Sequence, residues 1–163
     1  MKTGIVVLNY NDVVETISFV EKISNFNAVD IICVVDNGST DDSVKQLKKL
    51  KKIELIALKN NCGYAAGNNA GLKYLYEQNC DNYIVSNPDI IIDKRNLMDF
   101  IGHMNADTRY QLFGPTIEER GMLNHGWKQK TIAYDICDNY PVINRLFKGS
   151  IKYRKSHYKG AIT

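Results

Sequence analysis

Across 163 residues the chain has no run approaching the ~18–20 consecutive apolar residues that a membrane span requires. Three prolines and 11 glycines exclude a collagen-like or low-complexity chain. The four cysteines (Cys33, Cys62, Cys80 and Cys137) lie far apart and form no CxxC pair, so free thiols and a cytoplasmic location are expected. The opening MKTGIVVLNYND carries only a short apolar run, broken at Asn9, and reads as a strand rather than a secretory signal. No GxGxxG follows the first strand and no GxxxxGK[ST] occurs, which argues against a nicotinamide dehydrogenase and a P-loop NTPase. There is also no HExxH, no GxSxG and no paired Cys/His set for zinc. His103, His125 and His157 stand in contexts that give none of them a catalytic role.

What is present fits one buried core: 44% of residues are hydrophobic and 24% charged. The net charge of +3 hides an asymmetry, because Asp138 is the last acidic residue while Arg145, Lys148, Lys152, Arg154, Lys155 and Lys159 follow it. Only this end of the chain favours an anionic partner. The lysines at 45, 48, 49, 51 and 52 read as a solvated helix face, and no nucleic-acid partner is expected.

Strand and helix signals alternate over the first hundred residues. Apolar runs at 3–8, 29–35, 53–58 and 83–86 predict buried strands. Asn11 or Asp12 is expected to cap a helix with Val13, Ile17 and Val20 on one face. Ser39–Asp42 resembles a capping box opening a helix with Val44, Leu47 and Leu50 inward. Residues 59–71 (KNNCGYAAGNNAG) read as an Asn/Gly-rich loop running into a helix over 72–78. Asp93 caps a helix carrying Leu97, Phe100, Ile101 and Met104. This order predicts an α/β fold: a mostly parallel sheet with helices on both faces. Further on the signal weakens, with a strand expected at 111–113 and a hairpin turn at Glu119–Gly121.

In open parallel sheets ligands bind beyond the carboxyl ends of the strands. Four polar segments fall there: Asn9–Asp12, Asp36–Thr40, Asn60–Asn69 and Asn87–Asp89. Asp36 either accepts a hydrogen bond from a nucleobase imide N–H or closes an Asx-turn onto Gly38. Asn68 and Asn69 offer amides to a ligand or serve as helix caps. Asn87-Pro88-Asp89 places two oxygen-bearing side chains at i and i+2, which suits either a turn or a Mg²⁺ or Mn²⁺ ion shared with a diphosphate.

Taken together, VVDNGSTDDS, NCGYAAGNNAGL and YIVSNPDIII, in that order after successive strands, resemble family 2 glycosyltransferases of GT-A (Rossmann-like) fold, closest to the rhamnosyltransferase-like branch. The likeness covers roughly residues 3–120, taken as the nucleotide-binding half, with 121–163 as the start of an acceptor-side region. It implies that Asn9 and Asn11 line a base pocket, that Asp36 contacts the pyrimidine, that Asn37 belongs to the nucleotide-sugar site, and that Gly63, Asn68 and Asn69 border the nucleotide and sugar-phosphate. Asn87 and Asp89 take the DxD position, with Asp89 holding Mg²⁺ or Mn²⁺. Asn87 replaces an Asp and Asn68 an Arg found in many relatives. The implied reaction is an inverting, metal-assisted transfer from a dTDP-sugar (rhamnose) or a UDP-hexose to a glycan or lipid-linked acceptor. The acidic base of the family lies in a later segment with no counterpart after Asp138, so the catalytic base is unassigned and the chain reads as truncated. The alternatives are a nucleotide-sugar binding module without transfer activity, and a generic α/β domain. The basic end, with Phe147, Tyr153 and Tyr158 interleaved, reads as an exposed loop or as a peripheral contact with the inner face of a membrane.

Overall fold

The computed structural model describes residues 1–106, 114–115, 117–119 and 122–124. The strand expected at 111–113 and the basic end lie outside the described residues, as do His125, His157 and the turn residues Arg120 and Gly121. The chain forms two compact units, Met1–Tyr110 and Gln111–Thr163. In the second, β5 (Ile117–Glu119) pairs antiparallel with β6 (Met122–Asn124), Glu119 opposite Met122, which is the expected hairpin.

The first unit is a four-stranded, wholly parallel sheet. Its strands are β1 (Thr3–Asn9), β2 (Ile31–Asp36), β3 (Glu54–Ala57) and β4 (Asn82–Ser86), in the order β3-β2-β1-β4. Asn9 pairs with Asp36 in register, so the polar ends of β1 and β2 finish side by side, while Ser86, opposite Val7, ends β4 two residues short of them. Helices α1 (Val13–Ser24) and α2 (Ser43–Leu47) carry the chain outward from β1 to β3; α3 (Tyr64–Glu77) brings it back across to β4. Right-handed crossovers running in opposite directions must lie on opposite faces of the sheet. One core accordingly joins Ile5, Val7 and Val34 to Phe19, Val20 and Ile23 of α1, Leu47 of α2 and Leu97 of α4 (Lys94–Ala106). The other joins Val6, Cys33 and Val35 to Leu75 of α3. Strand residues facing alternate sides are thus buried on both, which explains the unbroken apolar runs.

Helix α3 packs unusually close to the sheet. A Cβ at Gly67 would stand 2.6 Å from Leu8 Cδ1, and one at Gly71 2.5 Å from Val6 Cγ1. The glycines that make KNNCGYAAGNNAG look like a loop are what lets a helix sit there. The helix consequently starts at Tyr64, eight residues before the expected boundary. Helix α2, by contrast, spans only Ser43–Leu47. Lysines at 45 and 49, and at 48 and 52, would repel one another at i,i+4 spacing in a longer helix.

Candidate functional site

The chain reverses its direction of travel between β1 and β4, and at such a switch point the loops leaving the strands separate and open a crevice. Around its mouth stand the β1–α1 loop, the β2–α2 loop, the N-terminus of α3 and the segment after β4.

Beneath the mouth lies a closed polar network. Asn9 Nδ2 donates to Asp36 Oδ2 at 2.7 Å and to Ser39 Oγ at 3.2 Å, and Thr16 Oγ1 donates to Asn9 Oδ1 at 2.8 Å. Asp36 Oδ1 accepts from the Ser39 amide at 3.0 Å. Asn9 and Asp36 are both 0% exposed. At that burial they differ from the expectation that they touch a base directly, while each Asp36 oxygen keeps acceptor capacity beyond the one bond it makes. Their shape is that of a brace locking the ends of β1 and β2 together. Thr16 was not anticipated, although a lone hydroxyl on the apolar face of α1 is the kind of signal that marks such a partner.

Asn11 and Asn37 lace the loops above this brace. Asn11 has left-handed backbone (φ 52°) and accepts from the Thr40 amide through Oδ1 at 2.8 Å. That oxygen therefore does not cap α1, and Asp12, which precedes the helix, makes no side-chain cap bond. Buried Asn37 uses its whole amide on the β3–α3 loop. Nδ2 donates to Asn61 Oδ1 (3.0 Å) and to the Gly63 carbonyl (3.3 Å), while Oδ1 accepts from the Cys62 amide (3.1 Å). Asn61 Oδ1 also accepts from the Gly63 amide at 2.9 Å, an Asx-turn that an Asn-x-Gly triplet announces. Asn37 thus holds the loop, which differs from the expected ligand contact.

Gly63 precedes α3 with φ 82° and ψ 167°, a region essentially confined to glycine, and among the described residues no side chain caps the helix. The first amides of α3 are left to the solvent-facing mouth, with no acidic residue in the first turn to offset the positive end. Tyr64 bridges the mouth: its hydroxyl donates to Asn87 Oδ1 at 3.1 Å, while its carbonyl accepts from Asn68 Nδ2 at 3.0 Å. Asn69 is exposed on α3, and Asp89 is exposed beyond β4. Among the described residues no three metal-ligating side chains cluster. The set fits a cation only if a ligand supplies most of the oxygens, as a diphosphate does for Mg²⁺. Two open hollows, about 370 and 430 Å³, lie at the opposite end of the sheet, around Tyr76–Tyr83 and around Asn27–Ile32 with Lys51–Glu54.

The sequence pattern described as Glycosyl transferase family 2 matches residues 5–161. The chain belongs to glycosyl transferase family 2. It is 31% identical over 118 residues to the low-salt glycan biosynthesis hexosyltransferase Agl10 of Haloferax volcanii, covering 72% of this chain and 37% of that protein. Its fold resembles residues 1–349 of S. aureus TarS, with a TM-score of 0.52 at 20% identity, covering 64% of this chain and 32% of that one. The chain therefore spans about a third of each of these relatives. The α/β, GT-A-like architecture expected from the sequence is the one observed. Among the described residues, no helix is long and apolar enough to cross a membrane.

The cysteines offer a direct reading of this geometry. Cys62 is exposed on the β3–α3 loop, whereas burial, reinforced by the nearby Glu54 charge, pushes the Cys33 thiol up to about 12. Because the thiolate is the reactive form, iodoacetamide at pH 8 is expected to alkylate Cys62 and leave Cys33 intact in the native protein. Peptide mapping checks this, and equal labelling of the two would contradict the packing described.

Proposed function

We propose that this chain forms the donor-binding part of a glycosyltransferase that takes a sugar from a nucleoside-diphosphate sugar and passes it to a glycan or lipid-linked acceptor. The observation that carries this reading is the meeting of the β1, β2 and β4 ends with the uncapped N-terminus of α3 at the switch point, in a chain of this family. The α3 amides suit the diphosphate oxygens, both by hydrogen bonding and through the helix dipole. Asn9 and Asp36 act from below by holding Ser39, whose hydroxyl accepts from the Asn11 amide while Asn11 Oδ1 accepts from the Thr40 amide, and together these bonds fix the backbone that borders the base. Asn69 and Asn87 border the sugar-phosphate.

Asp89 is the side chain that would hold Mg²⁺ or Mn²⁺, which would stabilise the charge of the departing diphosphate. The reaction is an inverting displacement in which a general base takes the proton of the acceptor hydroxyl as its oxygen attacks the anomeric carbon. A deoxythymidine-diphosphate rhamnose is the proposed donor and a uridine-diphosphate hexose the second choice, the hexosyl class being that named for Agl10. The basic residues from Arg145 to Lys159 suit an anionic membrane surface or a lipid-diphosphate acceptor.

Calorimetric titration with dTDP-rhamnose and UDP-glucose tests the reading. Binding is expected to tighten about tenfold on adding Mn²⁺, equivalent to about 1.4 kcal/mol. That gain disappears in Asp89→Ala. An absence of binding to either nucleotide sugar would overturn the proposal, and binding without turnover would support a donor-holding module.

A further inference from the structure

Lys45, Lys48, Lys49, Lys51 and Lys52 fall within one stretch of chain that contains no carboxylate. Of the 11 lysines and arginines in residues 1–106, five lie here, while all 13 Asp and Glu of those residues lie elsewhere. The described part of the first unit is thus an acidic body with one strongly positive segment. Helix α2 stops at Leu47, so only Lys45 is helical, and the other four lysines occupy the turn that leads to β3. The solvated helix face expected from the sequence therefore does not form. All five are exposed, and among the described residues none makes an ion pair; the pairs present are Lys73–Glu77 and Arg95–Asp99. Crowding unpaired like charges destabilises the compact state. Leu47, Leu50 and Ile53 turn inward onto the core, so the segment presents ammonium groups and no apolar anchor.

The chemistry of the segment selects among anionic partners. Lysine supplies point charges rather than the planar fork with which arginine grips a single phosphate. No aromatic side chain lies between 45 and 52 to stack on bases, and five-residue α2 is too short to read a groove. Lys51 and Lys52 line the hollow of about 430 Å³, but Asp30 and Glu54 line it too, so it does not concentrate a small anion. A diffuse positive field is left, which suits an extended anionic surface.

We propose that residues 45–52 are an electrostatic docking face for an anionic lipid surface. Each lysine near such a surface gives roughly a fivefold gain in binding. Lys51 and Lys52 come just before β3, the outer strand, and so lie at the end of the sheet opposite the mouth. Contact there leaves the carboxyl edge open. The inference is independent of the nucleotide-sugar reading and of the basic residues after Asp138.

Co-sedimentation of the full chain with phosphatidylcholine vesicles, with and without phosphatidylglycerol, tests it at low and high salt. The chain is expected to bind only the vesicles that contain phosphatidylglycerol, and high salt releases it. K45Q/K48Q/K49Q/K51Q/K52Q should weaken binding about a hundredfold or more, whereas K45R/K48R/K49R/K51R/K52R should keep it. A glutamine variant that binds like wild type overturns the proposal. So does binding that disappears only when the basic residues from Arg145 to Lys159 are neutralised, or a chain that ignores the vesicles and binds RNA. Acetylation of wild-type lysines, read by peptide mapping, guards against a misfolded variant. Vesicles should protect the five lysines more than Lys73 and Lys94, and equal protection of all seven overturns the proposal.

Discussion

Gly38→Ala is expected to lower the stability of the first unit by about 3 kcal/mol, an order-of-magnitude sum of a left-handed backbone cost of about 1–2 kcal/mol and a steric cost of similar size. Gly38 has φ +72°, and a Cβ there would lie 2.4 Å from the Asn60 carbonyl carbon and 2.6 Å from the Asn61 nitrogen. These are backbone atoms, so no rotamer change relieves the collision, and the β3–α3 loop has to move. That loop is what Asn37 ties down, and it sets where α3 begins. Nucleotide-sugar affinity should therefore fall with stability. Gly102→Ala makes the control. It lies within α4 with no described residue close to its Cβ position, and should gain up to about 1 kcal/mol from helix propensity. Urea denaturation midpoints of the two variants should move in opposite directions.

Asp36→Ala carries the second large effect. It removes the acceptor for Asn9 Nδ2 at 2.7 Å and for the Ser39 amide at 3.0 Å, in a position with no access to water. Each stranded donor costs roughly 1–3 kcal/mol, so a loss of about 2–5 kcal/mol is expected. Because Asn9, Thr16, Asp36 and Ser39 form one network, the losses should not add: Asn9→Ala on top of Asp36→Ala should cost clearly less than in the wild type. A double-mutant cycle by chemical denaturation checks this. Additive losses would mean the network is only a set of separate bonds.

Asp36 also shows what sequence could and could not convey. That a carboxylate ends β2 beside the end of β1 was legible, since apolar runs stop at a polar residue where a strand leaves the core. Whether the side chain points out to a ligand or in to a partner was not legible. That depends on Thr16 and Ser39, residues distant in sequence from one another that meet only once the sheet has formed. The parallel sheet, its two helical faces and the loops at its carboxyl edge followed from strand length and alternation of elements. The start of α3 did not, because local propensity counts Gly67, Asn68, Asn69 and Gly71 against a helix. Close packing on Val6 and Leu8 overrides that preference. Asn37 illustrates the same limit: an amide that looks available to a ligand is consumed in holding its own neighbouring loop.

On the function proposed above, the carboxyl edge of the sheet, and not the hollows at its other end, receives a nucleotide sugar. Amide chemical-shift mapping of the ¹⁵N-labelled protein with dTDP-rhamnose and Mg²⁺ tests it most directly. Saturable shifts confined to residues 9–11, 36–40, 61–69 and 86–89 are expected. Shifts centred on Asn27–Ile32 and Lys51–Glu54, or none at saturating ligand, would contradict it.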